Sequence, residues 1–307
     1  MPTFRDKRSE LPKIQTGGVF WGRARSMSRA IRPMRKKDER KASQRTHLIL
    51  TKRRKFVLVS LVLSLGLYII QRLPVESRYL AIFLFALASY ILGAWSLLAD
   101  LRGVGWLTNL TLPTMFPVSV ALFYFLLPQA MWTRLIVIAI FAVSMYGLML
   151  TANIFAVALI RTIQLLRAAR TVGFLLSVLT SAFMFHVIFS LKMPFLVVVA
   201  LSLLVLFPLF LQGVWSYTLG SKLTSRDMAY AVVGTVAVAE AILSVSFWLV
   251  DVALISILLA MIVYVILGIF QHSLEKRLFG RTVQEYVGFM VIVFVVVATA
   301  VVARWMS

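Results

Sequence analysis

The chain has 307 residues, of which 61% are hydrophobic and 14% charged, and it has no cysteine. Soluble globular domains have a charged fraction of about 25%, so the composition excludes an ordinary soluble domain. It also excludes a disordered chain, because such chains are poor in large apolar residues. The lack of cysteine excludes disulfides, iron–sulfur clusters and a cysteine nucleophile. The composition therefore predicts an all-α integral membrane protein.

The charge of the chain is concentrated near its N-terminus. Residues 1–55 hold 18 of the 32 Lys and Arg and 4 of the 11 Asp and Glu, which gives this segment +14 of the total charge of +21. The sequence therefore predicts two parts. Residues 1–55 form a basic, partly disordered cytoplasmic tail with a short amphipathic segment, and residues 56–307 form a transmembrane helical domain.

Long apolar segments predict a polytopic bundle of about nine transmembrane helices. A spanning helix needs about 20 mostly apolar residues, and in lipid the backbone must satisfy its own hydrogen bonds. The predicted spans are 56–73, 79–98, 112–127, 135–159, 172–191, 195–216, 228–250, 252–270 and 286–303. The third is interrupted or bracketed by Pro113, Pro117 and Pro128, and a re-entrant segment is the alternative there. The basic segment 161–170 is either an interfacial helix or an extension of a neighbouring span.

The distribution of Lys and Arg between the connections predicts the orientation. Connections that are rich in these residues stay in the cytoplasm. With nine spans and a cytoplasmic N-terminus, the inner connections carry nine Lys and Arg and the outer side carries five. Omitting the third span would place eight of those nine outside. We therefore predict a multi-pass protein of a bacterial cytoplasmic (inner) membrane, with the N-terminus inside and the C-terminus outside.

The basic tail is predicted to bind an anionic surface. Its apolar residues from Phe20 to Met34 recur at steps of three and four, as on one face of a helix with arginines beside it. Such a helix lies on an anionic membrane, where each basic residue contributes about 1 kcal/mol. An acidic protein or a nucleic acid is the other candidate partner; alternatively the charge only sets the topology. The predicted lipid-binding or partner-binding residues are Arg23, Arg25, Arg29, Arg32, Arg35, Lys36, Lys37, Lys52, Arg53, Arg54 and Lys55.

Glu240 is the clearest ionisable residue inside a predicted span, because it lies near the middle of 228–250. Such residues are costly in lipid and are candidates for function. The small residues Gly234, Ala237, Ala241 and Ser244 flank it at helical spacing, so another helix can approach closely. We therefore expect Glu240 to face protein or a cavity. It would act either as a proton or cation relay, or as a protonated carboxyl that is hydrogen-bonded across a helix interface.

Two further polar residues fall at depths on either side of Glu240. Asn153 lies near the inner end of the fourth span, and His186 lies near the outer end of the fifth. The hypothesis is that Asn153, Glu240 and His186 form a line of polar residues across the bundle. Depth alone supports this hypothesis, because the sequence does not say whether the three residues share a face.

Motifs for enzymatic chemistry are missing from the sequence. It contains no Walker loop, no G-x-S-x-G, no H-E-x-x-H and no G-x-G-x-x-G. No catalytic residue, cofactor or metal site is therefore predicted. The expected function is a non-enzymatic membrane anchor, scaffold or assembly subunit whose basic arm binds anionic lipid or an acidic partner. The alternatives are a small ion- or proton-coupled transporter that uses Glu240, and a membrane-embedded enzyme.

Overall fold

A computed structural model describes residues 52–127, 130–159, 164–247, 250–275 and 279–306. These ranges contain nine α-helices and no strand, so the all-α prediction is confirmed. The helices are α1 (52–70), α2 (Val75–Leu97), α3 (Gly105–Tyr124), α4 (Met131–Ala158), α5 (Leu166–Ser190), α6 (Phe195–Thr218), α7 (Ser225–Ser246), α8 (Val252–Leu274) and α9 (Gly280–Met306).

Eight helices in the described part of the chain, α2 to α9, are long and apolar enough to cross a membrane. The first helix differs because its first four residues are Lys52, Arg53, Arg54 and Lys55. Its apolar part is therefore residues 56–70, which is shorter than the roughly 20 residues of a typical span. That α1 crosses a membrane stays a prediction.

The third helix is continuous, and its start was predicted wrongly. It begins at Gly105 rather than at residue 112, and it contains both Pro113 and Pro117. The polar residues of its first turns are compatible with a helix because their side chains bond to helix backbone. Thr108 and Thr111 each donate to the carbonyl four residues earlier, and Asn109 donates to the Ala152 carbonyl of α4. The structure thus gives one continuous helix of 20 residues, and that it crosses a membrane fully stays a prediction.

Several other helix ends also differ from the prediction, and α5 and α7 show why. The fifth helix begins at Leu166, so residues 166–170 of the basic connection extend α5. The seventh runs over Ser225–Ser246 rather than 228–250. Its early start follows from a capping box, in which the Thr224 hydroxyl accepts from the Asp227 amide and the Asp227 carboxylate accepts from the Thr224 amide. A capping box satisfies amides that a helix start otherwise leaves free.

The helices pack around a small apolar cluster of Phe155, Ala169 and Trp215 and around two large ones. One is formed mainly by α1 to α4, and the other by α5 to α8. In the described part of the chain, α3, α5, α6 and α8 are central, since each of them packs against four others among α2 to α9. The last helix, α9, packs mainly against α8. Helix α7 packs against α6 and α8, and a Cβ at Gly234 would lie 2.9 Å from the rings of both Phe210 and Phe270.

One end of the bundle, here called the basic end, brings together the start of α1, the end of α2, and the α2–α3 and α6–α7 loops. The Lys55 ammonium lies 4.8 Å from the centre of the Trp95 ring, which joins α1 to α2. The Val104 amide donates to the Ser221 carbonyl at 3.4 Å, which joins the two loops. Gly103 permits this approach, because its φ is +51° and its Cα faces the Ser221 carbonyl.

Candidate functional site

Glu240 lies on the outer surface of the fold. Its side chain is exposed, and within the described part of the chain its carboxylate has no hydrogen bond or ion pair. It lies six residues before the last residue of α7, which is about 9 Å along the helix axis. The exposed large apolar side chains on the same side of α7 are Val232, Val233, Val236, Leu243 and Phe247. Within this chain, the expectation that Glu240 faces protein or a cavity is therefore wrong.

The rotation of α7 explains this position. Its buried residues include Val238 and Ile242, which face α6 and α8. Each residue turns a helix by about 100°, so Glu240, two residues from both, points to the opposite side. The small residues do not form one surface either. Gly234 is buried, Ala237 and Ala241 are half-buried, and Ser244 is exposed.

Asn153 and His186 are half-buried, and they lie on α4 and α5. The Asn153 side-chain oxygen is buried and has no hydrogen-bond partner among the described residues. The His186 ring packs edge-on against Phe123, with 5.2 Å between the ring centres. Because α7 packs against α6 and α8 and Glu240 points outward, the structure does not bring the three residues into one line.

An apolar groove lies beside Glu240, between α7, α8 and α9. Its volume is about 430 Å³, and we call it the α7–α9 groove. The hydroxyl of Ser244 donates to the Glu240 carbonyl at 2.9 Å and supplies the groove's polar side chain. The lining residues are Ala241, Ser244 and Val245 of α7, Leu258 and Ile262 of α8, and Met290, Val291 and Phe294 of α9. Glu240 is not one of the lining residues; it precedes Ala241 in sequence and lies one helical turn before Ser244, and both of these residues line the groove.

A polar cluster that sequence reasoning missed lies at the basic end. The Arg170 guanidinium forms an ion pair with Glu275 at 3.1 Å and donates to the carbonyls of Ser216 and Tyr217 at 3.2 and 3.1 Å. The same guanidinium lies 4.6 Å from the centre of the Tyr217 ring. The Tyr217 hydroxyl in turn donates to the Gln271 side chain at 2.9 Å. We call these five residues the Arg170 cluster.

The Arg170 cluster ties three helices together. Arg170 belongs to the start of α5, Ser216 and Tyr217 to the end of α6, and Gln271 to the end of α8, with Glu275 as the C-cap. The last carbonyls of a helix have no partner within the helix, and Arg170 supplies one for two of them. The groups of the cluster bind each other, which indicates a structural role. The sequence gives only a weak signal of this cluster, which is the spacing of four residues that places Gln271 and Glu275 on one side of a helix.

The predicted lipid-binding residues fall in two groups. The first group lies outside the described residues and consists of Arg23, Arg25, Arg29, Arg32, Arg35, Lys36 and Lys37. Lys52, Arg53, Arg54 and Lys55 form the first turn of α1, and of these Lys55 contacts Trp95. The predicted boundary between a tail and a helical domain at residue 55 stays a prediction.

Among the described residues, no group of three or more His, Asp or Glu is placed to hold a metal ion. The fold and its surface define a class of protein: an all-helical chain with at least eight helices of membrane-spanning length and apolarity.

Comparison with known families gives a more specific assignment. The profile of DUF5656, a family described as proteins of unknown function, matches residues 77–300. Because the match covers most of the chain, the protein belongs to this family. The matched range runs from α2 into α9, and the basic tail and α1 precede it in sequence. No match is found among curated proteins or among solved structures.

Proposed function

We propose that this protein is a multi-pass membrane anchor or assembly subunit of a cytoplasmic membrane, with its basic arm on the cytoplasmic side. The observation that carries the proposal is the position of Glu240: the ionisable group that would serve an internal route lies on the outer surface instead. The arm holds anionic lipid headgroups or an acidic partner protein, and the helical part fixes it in the bilayer.

The outward-facing side chains support insertion in lipid. Large apolar residues such as Leu61, Phe83 and Val143 are each at least 60% exposed. Soluble proteins rarely expose large contiguous apolar patches, whereas such side chains are favourable against lipid tails. Helices of this length also satisfy their own backbone hydrogen bonds, as lipid requires.

The transporter alternative has less support from the geometry. A proton or cation relay requires the carboxylate to line a route through the bundle, but Glu240 is exposed on the far side of α7 from α6 and α8. The groove beside it is apolar apart from Ser244. A membrane-embedded enzyme would need acids and bases that converge in a pocket, and the Arg170 cluster consists of groups that bind one another.

The orientation can be tested by thiol labelling, because the chain has no cysteine. We expect Ala130→Cys, which precedes α4 in a predicted outer connection, to react with a membrane-impermeant maleimide in intact cells. Ser225→Cys, at the start of α7 near a predicted inner connection, should react only after permeabilisation. The opposite pattern would show that the orientation is reversed.

The role of the arm can be tested with the full chain in nanodiscs of phosphatidylcholine. We expect these discs to bind vesicles that contain phosphatidylglycerol and to ignore vesicles of pure phosphatidylcholine. Replacing Arg35, Lys36 and Lys37 together with Gln should weaken binding by about a hundredfold, because each basic residue contributes about 1 kcal/mol. As a control, Lys192→Gln should leave binding unchanged. Equal binding by the triple variant and the unchanged chain would contradict a lipid-binding arm.

A further inference from the structure

We propose that the exposed face of α7 around Glu240, together with the α7–α9 groove, is the docking surface for a transmembrane helix of another protein. We further propose that this partner helix carries a Lys or Arg at the depth of Glu240. The inference rests on the proposed function, since it requires that α7 to α9 lie in a bilayer. It adds the chemistry by which the subunit recognises what it assembles.

The first step is the energetic position of Glu240. A charged side chain at the centre of a membrane helix costs about 2.5 to 3.5 kcal/mol on insertion scales, so charged residues within a span normally face protein or water. Glu240 lies six residues before the end of α7, so its own cost is smaller than this but has the same sign. Here the carboxylate is exposed between Val236 and Leu243, and no described residue bonds to it. A bare lipid contact is therefore unfavourable at this point, and a partner that donates to the carboxylate is favoured.

The second step is the shape of the surface. Since α9 packs mainly against α8, a groove of about 430 Å³ stays open between α7 and α9. Its apolar lining and the small side chains of Ala241 and Ser244 let a helix approach closely, which is how membrane helices gain packing energy. Because Glu240 lies one helical turn before the lining residue Ser244, a helix that fills the groove also passes close to the carboxylate.

The third step is the choice of occupant. Among the described residues, each Lys and Arg in a helix lies within five residues of a helix end, so a second copy presents these cations closer to the helix ends than Glu240, which lies six residues before the end of α7. Two copies that pair through this same face would bring two Glu240 carboxylates together, and like charges oppose association. A lipid tail could fill the groove but would leave the carboxylate without a donor. Charge complementarity therefore selects a helix from another protein with a basic side chain at this depth.

The test uses the full chain reconstituted in phosphatidylcholine vesicles and two synthetic single-span Leu–Ala peptides. One peptide has a Lys six residues from one end, and the other has Leu at that position. We expect energy transfer from the labelled chain to show about tenfold tighter binding of the Lys peptide, because polar contacts between membrane helices are worth about 1 to 2 kcal/mol. Glu240→Gln should abolish this preference, and Glu76→Gln, a control on exposed α2 surface, should keep it.

Crosslinking locates the binding surface. With a Cys one turn from the Lys of the peptide, Ser244→Cys should form a disulfide with it, whereas Val143→Cys, exposed on α4, should not. Equal crosslinking at both positions would overturn the proposal. The absence of a Lys preference, or a preference that survives Glu240→Gln, would also overturn it. If two labelled copies show energy transfer and their association displaces the peptide, the surface belongs to a second copy. This result would also overturn the proposal.

The two proposals fail in distinguishable ways. Extraction of the chain from vesicles by alkaline carbonate would refute membrane insertion and with it both proposals. A chain that resists extraction but binds both peptides equally would refute the docking proposal alone. Because Glu240 is exposed, Glu240→Gln should unfold at the same temperature as the unchanged chain, so a loss of binding reports on the surface rather than on the fold.

Discussion

Replacing Arg170 with Gln should remove most of the connection between α5, α6 and α8 at the basic end. Arg170 is 19% exposed and Glu275 35%, so the ion pair is partly screened by solvent and should contribute about 1 kcal/mol. The two hydrogen bonds to the carbonyls of Ser216 and Tyr217 come from a charged donor, and such bonds contribute about 1.5 kcal/mol each or more. The side-chain amide of a glutamine can replace part of this hydrogen bonding. We expect the free energy of unfolding to fall by about 3 kcal/mol.

The assay is denaturant unfolding in mixed micelles, as a double-mutant cycle of Arg170→Gln with Glu275→Gln. The cycle isolates the pairwise term, which we expect to be about 1 kcal/mol. A matched cycle is available on α9, where Arg281 and Glu285 are 3.8 Å apart and 90% and 71% exposed. An exposed pair of this spacing contributes about 0.3 to 0.5 kcal/mol.

If Arg170→Gln costs no more than Arg281→Gln, the Arg170 cluster does not hold the three helices together. If Arg170→Gln is costly but the coupling to Glu275 is zero, the carbonyl bonds and the Tyr217 ring carry the effect and the ion pair does not.

Substitutions at glycine give three further predictions, each measured as the change in the free energy of unfolding. Gly103→Ala should cost about 1 to 2 kcal/mol or more, because φ is +51° and the new Cβ would lie 2.5 Å from the Ser221 carbonyl oxygen. Gly213→Val should cost about 1 to 3 kcal/mol through overpacking, because a Cβ there would lie 2.6 Å from Leu267 in the core. Gly147→Ala in α4 meets nothing within 4 Å and should stabilise by up to about 1 kcal/mol, so a loss of stability there would contradict the packing described.

Hydropathy predicted the helices well because a run of about 20 apolar residues has few alternatives to a helix. The ends were predicted less well, because polar residues can extend a helix when their side chains bond to backbone. Thr108 and Asn109 do so in α3, and Thr224 and Asp227 do so at the start of α7. Hydropathy does not include these bonds: the partners of Thr108, Thr224 and Asp227 lie three or four residues away in sequence, and only the Ala152 carbonyl that Asn109 binds depends on the fold.

The sequence does not determine the direction in which the Glu240 side chain points. Small residues at helical spacing predict close packing, and we assigned the whole stripe to one partner surface. The structure divides it, with Gly234 against the rings of α6 and α8 and Ser244 exposed at the groove. The Arg170 cluster was missed for a related reason: Arg170 and Glu275 are 105 positions apart in sequence, and only the packing of α5 against α8 brings them together.

The attachment of α9 has a consequence for what the rest of the fold requires. In the described part of the chain this helix rests mainly on α8, where the Tyr286 ring lies against the bare Cα of Gly268. A chain truncated after Glu275 would therefore keep the packing among α2 to α8 and the Arg170 cluster, and it would lose the outer cover of α8. Helix α9 is thus the segment whose removal, or exchange for another sequence, disturbs the rest of the described fold least.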